Sequence, residues 1–514
     1  MRIPTILDAS DPPATLAHAM ASYWRAAQVQ SLTALSDGER SLTYAQLEAR
    51  TAHLATALLA RGAAPGDVLA ITMRRSLDAV LLLLASIRAG MCPCVIEPLL
   101  PGQEVGERLT LVDARWLAFD DEHRALAGAL ALPGLDAFEL HALATPDALA
   151  DAATAERMTH AIAPDTRALL LFTSGSTGRP KAVELTQAAL LNNALGVIAH
   201  SELGSTDRLL HVMPIYHTNG LNNQLFAPLL AGASVVFAER FRAEEMPQLM
   251  ARHRPTIITG VPTMYSRMLA QPFEAQALAD LRMARCGSAP ITETLHRQVE
   301  EKLGCPLVVS YGLSEATCTS TMNPPAARRI GSVGTVLRGQ RVRLREPDGS
   351  LTDVPGREGE ICIGGPSLMA GYLGAPDATS RAVADGWLGT GDLGRFDEDG
   401  YLYVTGRIKD VIIRGGENLS PLLIESVIVS ETRVAACCVV GRADRDLGEV
   451  PVAFVVRGGE VSVDAAQVCD AVRRKLSRIY VPQEVFFVPA LPETAVGKVD
   501  RKVLAARVSQ GVAA

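Results

Sequence analysis

Three features are scarce in this 514-residue sequence, and each absence excludes something. There is no basic run, and 56 Asp and Glu outnumber 49 Lys and Arg, for a formal net charge of -7. Such a chain lacks the cationic footprint of a nucleic-acid binder, so no nucleic-acid partner is expected. Long apolar runs are also missing. A membrane span needs about 20 consecutive apolar residues, whereas the most membrane-like stretch, Ala79 to Leu84, is short and its extension meets Arg88. The opening Met1-Arg2-Ile3-Pro4 lacks the apolar core of a signal peptide, so a soluble, cytoplasmic protein without a membrane span is predicted. Finally, the cysteines do not form a framework. They number nine, an odd count, and lie scattered in apolar stretches, as reduced thiols do. Cys92-x-Cys94 has no second Cys/His pair nearby, which favours burial over zinc binding.

What is present is a globular composition, 48% hydrophobic and 20% charged, in a chain too long for one ordinary core. Thr43 caps a predicted helix bearing Leu47, Ala52, Leu54 and Leu58 on its apolar face; Pro65-Gly66-Asp67 ends it before the strand Val68-Leu69-Ala70-Ile71. Helix and strand alternate through a buried helix around 79–84 and the strand Pro93-Cys94-Val95-Ile96, the pattern of a layered α/β domain. Residues 113–166 are alanine-rich and carry no chemical signal.

The stretch around which the chain is organised is Leu169-Leu170-Leu171-Phe172-Thr173-Ser174-Gly175-Ser176-Thr177-Gly178-Arg179-Pro180-Lys181. Four apolar residues predict a buried strand. It runs into a loop with four hydroxyls among two glycines, whose N–H groups can form an anion-binding nest. Lys181 supplies a compact positive charge suited to phosphate. A Walker loop is excluded, because Pro180 separates Gly178 from Lys181 and Ala182-Val183-Glu184-Leu185 continues extended. The loop therefore joins two strands.

Downstream, a helix is predicted over 186–200 and a strand over 209–214, leading to Tyr216-His217-Thr218-Asn219-Gly220. A strand follows at Val235, a helix from Ala243, then strand, turn and helix start across 256–265 with Gly260 at the turn. Two further strands end in small-residue turns, at Cys286-Gly287-Ser288-Ala289 and at Tyr311-Gly312-Leu313-Ser314-Glu315. Ligands of open α/β sheets bind just beyond such strand ends. Gly389-Thr390-Gly391-Asp392-Leu393-Gly394 matches a dinucleotide fingerprint, but an Asp399-Gly400 turn between extended segments predicts a hairpin where that motif needs a helix. Ser420-Pro421 reads as cap and first residue of a helix, and strands over 434–440 and 452–456 with a helix over 463–476 follow.

From about Leu42 to Leu504 these motifs, in this order, resemble the adenylate-forming superfamily of acyl-CoA synthetases, adenylation domains and luciferases. The resemblance implies an α/β fold: a large N-terminal domain (1–406) of layered sheets with a distorted barrel portion, a hinge (407–410) at Lys409, and a small mobile α+β domain (411–514). It implies ATP, Mg2+ and CoA as cofactors and an ATP-dependent carboxylic acid–CoA ligase for a short polar, dicarboxylic or medium-chain acid. The alternative acceptor is the phosphopantetheine thiol of a carrier protein. In this resemblance Thr173 through Gly178 and Lys181 hold phosphates, Gly287, Ser288 and Ala289 border the adenine, and Tyr311 and Gly312 lie along its ring. Ser314 stands where a threonine usually contacts the α-phosphate, and Glu315 holds Mg2+. Asp392 and Arg407 bind ribose and phosphate. Lys498, in Pro492-Glu493-Thr494-Ala495-Val496-Gly497-Lys498, is the catalytic lysine, and Gly415, Gly416 and Glu417 form the CoA-side loop. His217 lies near acyl chain and phosphates, with Asn219, Gly260 and Arg285 toward the acyl pocket. Leu423 stands where many relatives place a glutamate completing a capping box.

Arg285 sits in Leu281-Arg282-Met283-Ala284-Arg285-Cys286, where alternation puts it on the face opposite Arg282. A buried arginine needs a partner. Two are open: a protein carboxylate, or the distal carboxylate of a short diacid substrate.

Overall fold

The computed structural model describes residues 13–130, 132–140, 157, 159–174, 180–458, 463–494 and 498–510. The strand Arg167–Ser174 is apolar on both faces because both are covered: Leu169 and Leu171 enter one apolar cluster and Leu170 another. It pairs antiparallel with Pro180–Thr186, whose far edge takes Gly371–Tyr372. The loop between them thus joins strands, as the extended residues after Lys181 require.

Beside this hairpin lies a parallel sheet in the order Cys92–Val95, Val68–Thr72, Trp116–Phe119, Asp136–Glu139. Cys92 and Cys94 are buried within it, and all nine cysteines are unpaired. Helix Tyr44–Ala60 opens with Thr43 and Gln46 exchanging a reciprocal capping box. Helix Leu77–Arg88, capped by Ser76, buries every residue except Asp78. Arg88, which interrupts the apolar run, is itself buried and donates to Glu48 Oε1 at 2.9 Å and Thr51 Oγ1 at 2.6 Å.

A nine-stranded sheet forms the main layer. At its centre Ser234–Phe237, Arg208–His211, Ile257–Gly260, Met283–Cys286 and Leu307–Tyr311 run parallel. Their C-terminal ends therefore share one edge, and the turns after His211, Gly260, Cys286 and Tyr311 lie there. Two boundaries differ from the pattern. The strand expected through Pro214 stops at His211, and the helix expected from Ala243 begins at Met246, after a turn in which Glu245 N donates to Arg242 O.

An antiparallel six-stranded sheet follows, of which Trp387–Phe396 and Leu402–Arg407 are a hairpin. Gly389 to Gly394 lie within a strand, so no helix follows them. Beyond it, Ile412–Arg414, Glu417–Leu419, Ala436–Asp444, Gly448–Val456 and Glu484–Phe487 form a five-stranded sheet with helices Pro421–Thr432, Ala465–Lys475 and Arg501–Ser509. Its two apolar clusters draw only on residues from Ile412 onward. Ser420 caps the first helix through Leu423 N, and Leu423 returns no side-chain bond.

Candidate active site

The hairpin register sets Asp392 opposite Arg407, and Arg407 Nε lies 3.1 Å from Asp392 Oδ1. The other carboxylate oxygen accepts from the Tyr311 hydroxyl at 2.8 Å, which ties the hairpin to the end of the central strand. Burial raises the pKa of Asp392, and Arg407 and Tyr311 pull it back part of the way. Tyr311 is thus an anchor for Asp392, a task the motif alone does not reveal.

On the same edge, Gly287, Ser288 and Ala289 form the turn after Met283–Cys286, with Ser288 at φ 70°, a left-handed conformation uncommon outside glycine. Gly312 follows Tyr311, and Ser314 and Glu315 open the short turn Ser314–Ala316. Glu315 Oε1 accepts from the Tyr372 hydroxyl at 2.9 Å, and Lys181 Nζ stands 4.5 Å from the centre of the Tyr372 ring. Thr173 is Lys181's partner across the hairpin. Tyr372 therefore joins the phosphate-loop lysine to the candidate metal carboxylate. Burial, then Glu315, raises its phenol pKa, so it stays a donor. A lone tyrosine on a two-residue strand carries no pattern, and sequence reasoning missed it. Gly175, Ser176, Thr177 and Gly178 lie outside the described residues, as does the Ser174 side chain.

The third group of residues surrounds His217. Its turn closes so tightly that a Cβ on Gly220 would sit 2.0 Å from Pro214 O, which requires glycine there. His211 Nε2 meets Gly220 O at 2.7 Å, so Nε2 carries the proton and Nδ1 accepts from Arg75 Nη2 at 2.6 Å. Arg75 also donates to Met213 O and lies 3.9 Å over the Phe237 ring. This buried brace was likewise not legible, because its members are 9 and 136 positions apart. His217 is half-buried and its Nε2 has no hydrogen-bond partner among the described residues. Burial, then the charge of Lys498, lowers its pKa to about 4, leaving a neutral imidazole. Asn219 opens the π-helix Asn219–Phe226 and accepts from Asn223 Nδ2 at 3.0 Å; Asn223 also donates to Thr319 Oγ1 at 2.9 Å. Gly260 ends its strand nearby, and Arg285 donates to Thr259 Oγ1 and Asn223 O. Of the two partners left open for Arg285, a protein carboxylate is not found among the described residues.

Lys498 comes from the C-terminal sheet's side. Thr494 N donates to Lys498 O at 2.7 Å, and Glu493 forms an antiparallel bridge with Val499. Arg501 then anchors it, donating to Val439 O and Glu425 Oε2. Lys498 as a residue remains exposed, yet its ammonium lowers its pKa through desolvation and the nearby Arg407, with Asp392 opposing. With its charge also acting on His217, Lys498 lies within electrostatic reach of both the Asp392–Arg407 pair and the His217 turn. Lys409 is exposed in the turn Ile408–Asp410. Gly415 and Gly416, at φ 59° and 88°, form the two-residue turn between Arg414 and Glu417. A turn with positive φ at both central residues needs glycine for local reasons, independent of any close ligand approach.

Around the end of the parallel sheet, a carboxylate and a lysine anchored on two neighbouring sheets and a second lysine from the C-terminal sheet's side mark a nucleotide-using enzyme of the adenylate-forming class. The chain shares its fold with ATP-bound MatB from Rhodopseudomonas palustris, at a TM-score of 0.86 and 31% identity over 96% of this chain and 99% of that one. Residues 23–373 match the AMP-binding enzyme family and residues 423–498 its C-terminal domain, and the chain belongs to that family. Among curated relatives, the indoleacetate–CoA ligase of Aromatoleum aromaticum is 36% identical over 91% of this chain and 94% of its own length. The sulfoacetate–CoA ligase of Cupriavidus necator is 36% identical over 90% and 92%. Among the described residues no helix is long and apolar enough to cross a membrane.

Proposed function

We propose that this chain, an AMP-forming acid–CoA ligase using ATP, Mg2+ and CoA, acts on a short polar carboxylic acid through the residues gathered above. The observation that carries the reading is the pair of tethers that hold Asp392 between Tyr311 and Arg407 and Glu315 through Tyr372 beside Lys181.

A carboxylate is a poor acyl donor because oxide would have to leave. In the first half-reaction a carboxylate oxygen of the acid attacks the α-phosphorus of ATP, and pyrophosphate departs with the bond electrons. Such displacements depend on positioning and charge neutralisation. Asp392, held by Tyr311 and Arg407, orients the ribose as an acceptor. Lys181 and the 173–178 loop take the outer phosphates, Ser314 the α-phosphate, and Gly287 to Ala289 with Tyr311 and Gly312 border the base. Lys498 stands where two anions converge and offsets their repulsion. His217, neutral at physiological pH, borders the acyl group without adding charge.

Mg2+ fits the residues present. Among the described residues no cluster of three metal-type side chains exists, and one carboxylate, Glu315, is fixed by Tyr372. One carboxylate suits an ion that takes its other ligands from water and substrate phosphates. Bound there, it neutralises phosphate charge.

In the second half-reaction the CoA thiol gives its proton to solvent, its sulfur bonds the acyl carbon, and the carbon–oxygen bond breaks with its electrons leaving on AMP. Lys498 has no task in this step. The small domain (411–514) turns about the hinge at 407–410 to bring Gly415, Gly416 and Glu417 to the site, a recognised kind of hinge motion. The separate apolar clusters beyond Ile412 support its moving as a body.

Thr218, Asn223, Thr259, Arg285 and Thr319 are buried polar residues, the last four linked by hydrogen bonds that reach Asn219 beside His217, and this polarity favours a short polar acid over a medium chain. Nine unpaired cysteines fit a reducing, cytoplasmic setting. The test is pyrophosphate release across short polar, dicarboxylic and medium-chain acids, followed by thioester assay with CoA or a carrier protein. No release with any acid, or thioester on the carrier alone, overturns this reading.

A further inference from the structure

We propose that Arg285 docks a second, anionic group at the far end of the acid, a carboxylate or sulfonate. The inference rests on the ligase reading and adds the chemical class of the substrate.

Arg285 is 2% exposed. Its Nε donates to Thr259 Oγ1 at 3.2 Å and its Nη2 to Asn223 O at 2.8 Å, while Nη1 is buried and without a partner. No carboxylate among the described residues forms an ion pair with it. Burial lowers its pKa to about 10, so the guanidinium stays charged at neutral pH. A buried, ionised group left short of partners is costly, and folds normally supply one.

Other arginines of this chain show what that supply looks like. Arg282, three residues earlier and partly exposed, has both oxygens of Asp207, at 2.6 and 2.8 Å. The carboxylate nearest in influence to Arg285 is that same Asp207, already engaged. Buried Arg88 has Glu48. Half-buried Arg75 lacks a carboxylate, but both its terminal nitrogens have acceptors and its face rests on Phe237. Among these four, Arg285 alone combines burial, no carboxylate and an idle terminal nitrogen.

Its position identifies the missing partner. Arg285 immediately precedes the Cys286 to Ala289 turn on the nucleotide edge. Through Asn223 and Asn219 a chain of hydrogen bonds leads to within two residues of His217, whose Nε2 is likewise unpartnered. The two idle nitrogens thus sit on segments joined by hydrogen bonds, and in this reading both face the acid. A planar guanidinium edge with free N–H groups suits two oxygens of one anion.

The test measures kcat/KM for pyrophosphate release by wild type, Arg285→Met and Arg285→Lys. The acids are malonate, succinate and sulfoacetate, with malonate monoamide and butyrate as uncharged-tail controls. Wild type should prefer malonate or sulfoacetate over the monoamide by at least about tenfold, and whichever leads identifies carboxylate or sulfonate. Arg285→Met should lose about 10- to 100-fold on the dianion, as for a charge-assisted hydrogen bond, while butyrate holds or improves; Arg285→Lys should recover part of the loss. Equal wild-type rates on malonate, sulfoacetate and the uncharged-tail acids overturn the proposal without any variant, and leave the ligase reading standing. Equal loss by Arg285→Met on dianion and butyrate makes the residue structural and also overturns it. No pyrophosphate release from any acid would instead overturn the ligase reading itself.

Discussion

Arg267, on the helix Pro262–Leu269 that begins two residues after Gly260, forms a 2.8 Å ion pair with Glu493, whose backbone bridges Val499 beside Lys498. It ties the neighbourhood of Lys498 to the helix that follows Gly260. Partly exposed pairs of this kind contribute at most about 1 kcal/mol, enough to shift a two-state balance about fivefold. Arg267→Glu should therefore slow pyrophosphate release by about two- to fivefold in single-turnover assays. The double exchange Arg267→Glu/Glu493→Arg should restore it. High salt should slow the wild type toward the single variant. An unaffected rate in Arg267→Glu would remove the latch.

Lys498 is assigned to the meeting of carboxylate and α-phosphate and to nothing afterwards. Lys498→Ala should lower acyl-adenylate formation by about 100-fold or more, the scale of a lost transition-state charge contact. Thioester formation from supplied acyl-AMP should proceed as in wild type. Parallel loss of both half-reactions would show that the lysine is not specific to the first.

Lys409 tests the hinge. Proline holds φ near about -65°, so Lys409→Pro should fix the small domain in one orientation. With the orientation seen here, adenylation should survive and transfer to CoA should fall by orders of magnitude, measured by rapid quench with acyl-AMP and CoA. Both steps intact would refute rotation about 407–410.

His217 predicts an acid sensitivity. Its folded-state pKa of about 4 lies below its ordinary 6.5. Between those values the unfolded chain binds a proton that the folded chain does not, so stability is present above 6.5 and declines as pH falls toward 4. At about 1.4 kcal/mol per unit, the loss by pH 5 is about 2 kcal/mol. His217→Gln removes this titration. In urea unfolding the variant should gain on wild type by about that amount between pH 7 and pH 5. A constant difference would mean His217 is protonated in the folded state.

Much of this was legible in one dimension. Leu169 to Phe172 read as a strand because four apolar residues before a glycine-rich loop are explained by burial on both faces. The Gly389 to Gly394 run separated from a dinucleotide motif because an Asp-Gly turn downstream specifies a hairpin. Boundaries were less secure where tertiary contacts compete with propensity, as at His211 and Met246.

What the sequence by itself determined was the order of strands, turns and signature residues, since alternation, capping and turn chemistry act between near neighbours. Asp392 and Arg407 could be named from their motifs, but only the hairpin register set them face to face. Tyr372 beneath Lys181 and Glu315, Arg75 bracing the His217 turn through His211, and Arg267 holding Glu493 join residues far apart in the chain. Their spacing has no period to read. Arg285 shows the division most sharply: its charge and strand position were visible at once, but whether a protein carboxylate would meet it was decided only by which side chains the closed fold brought within reach.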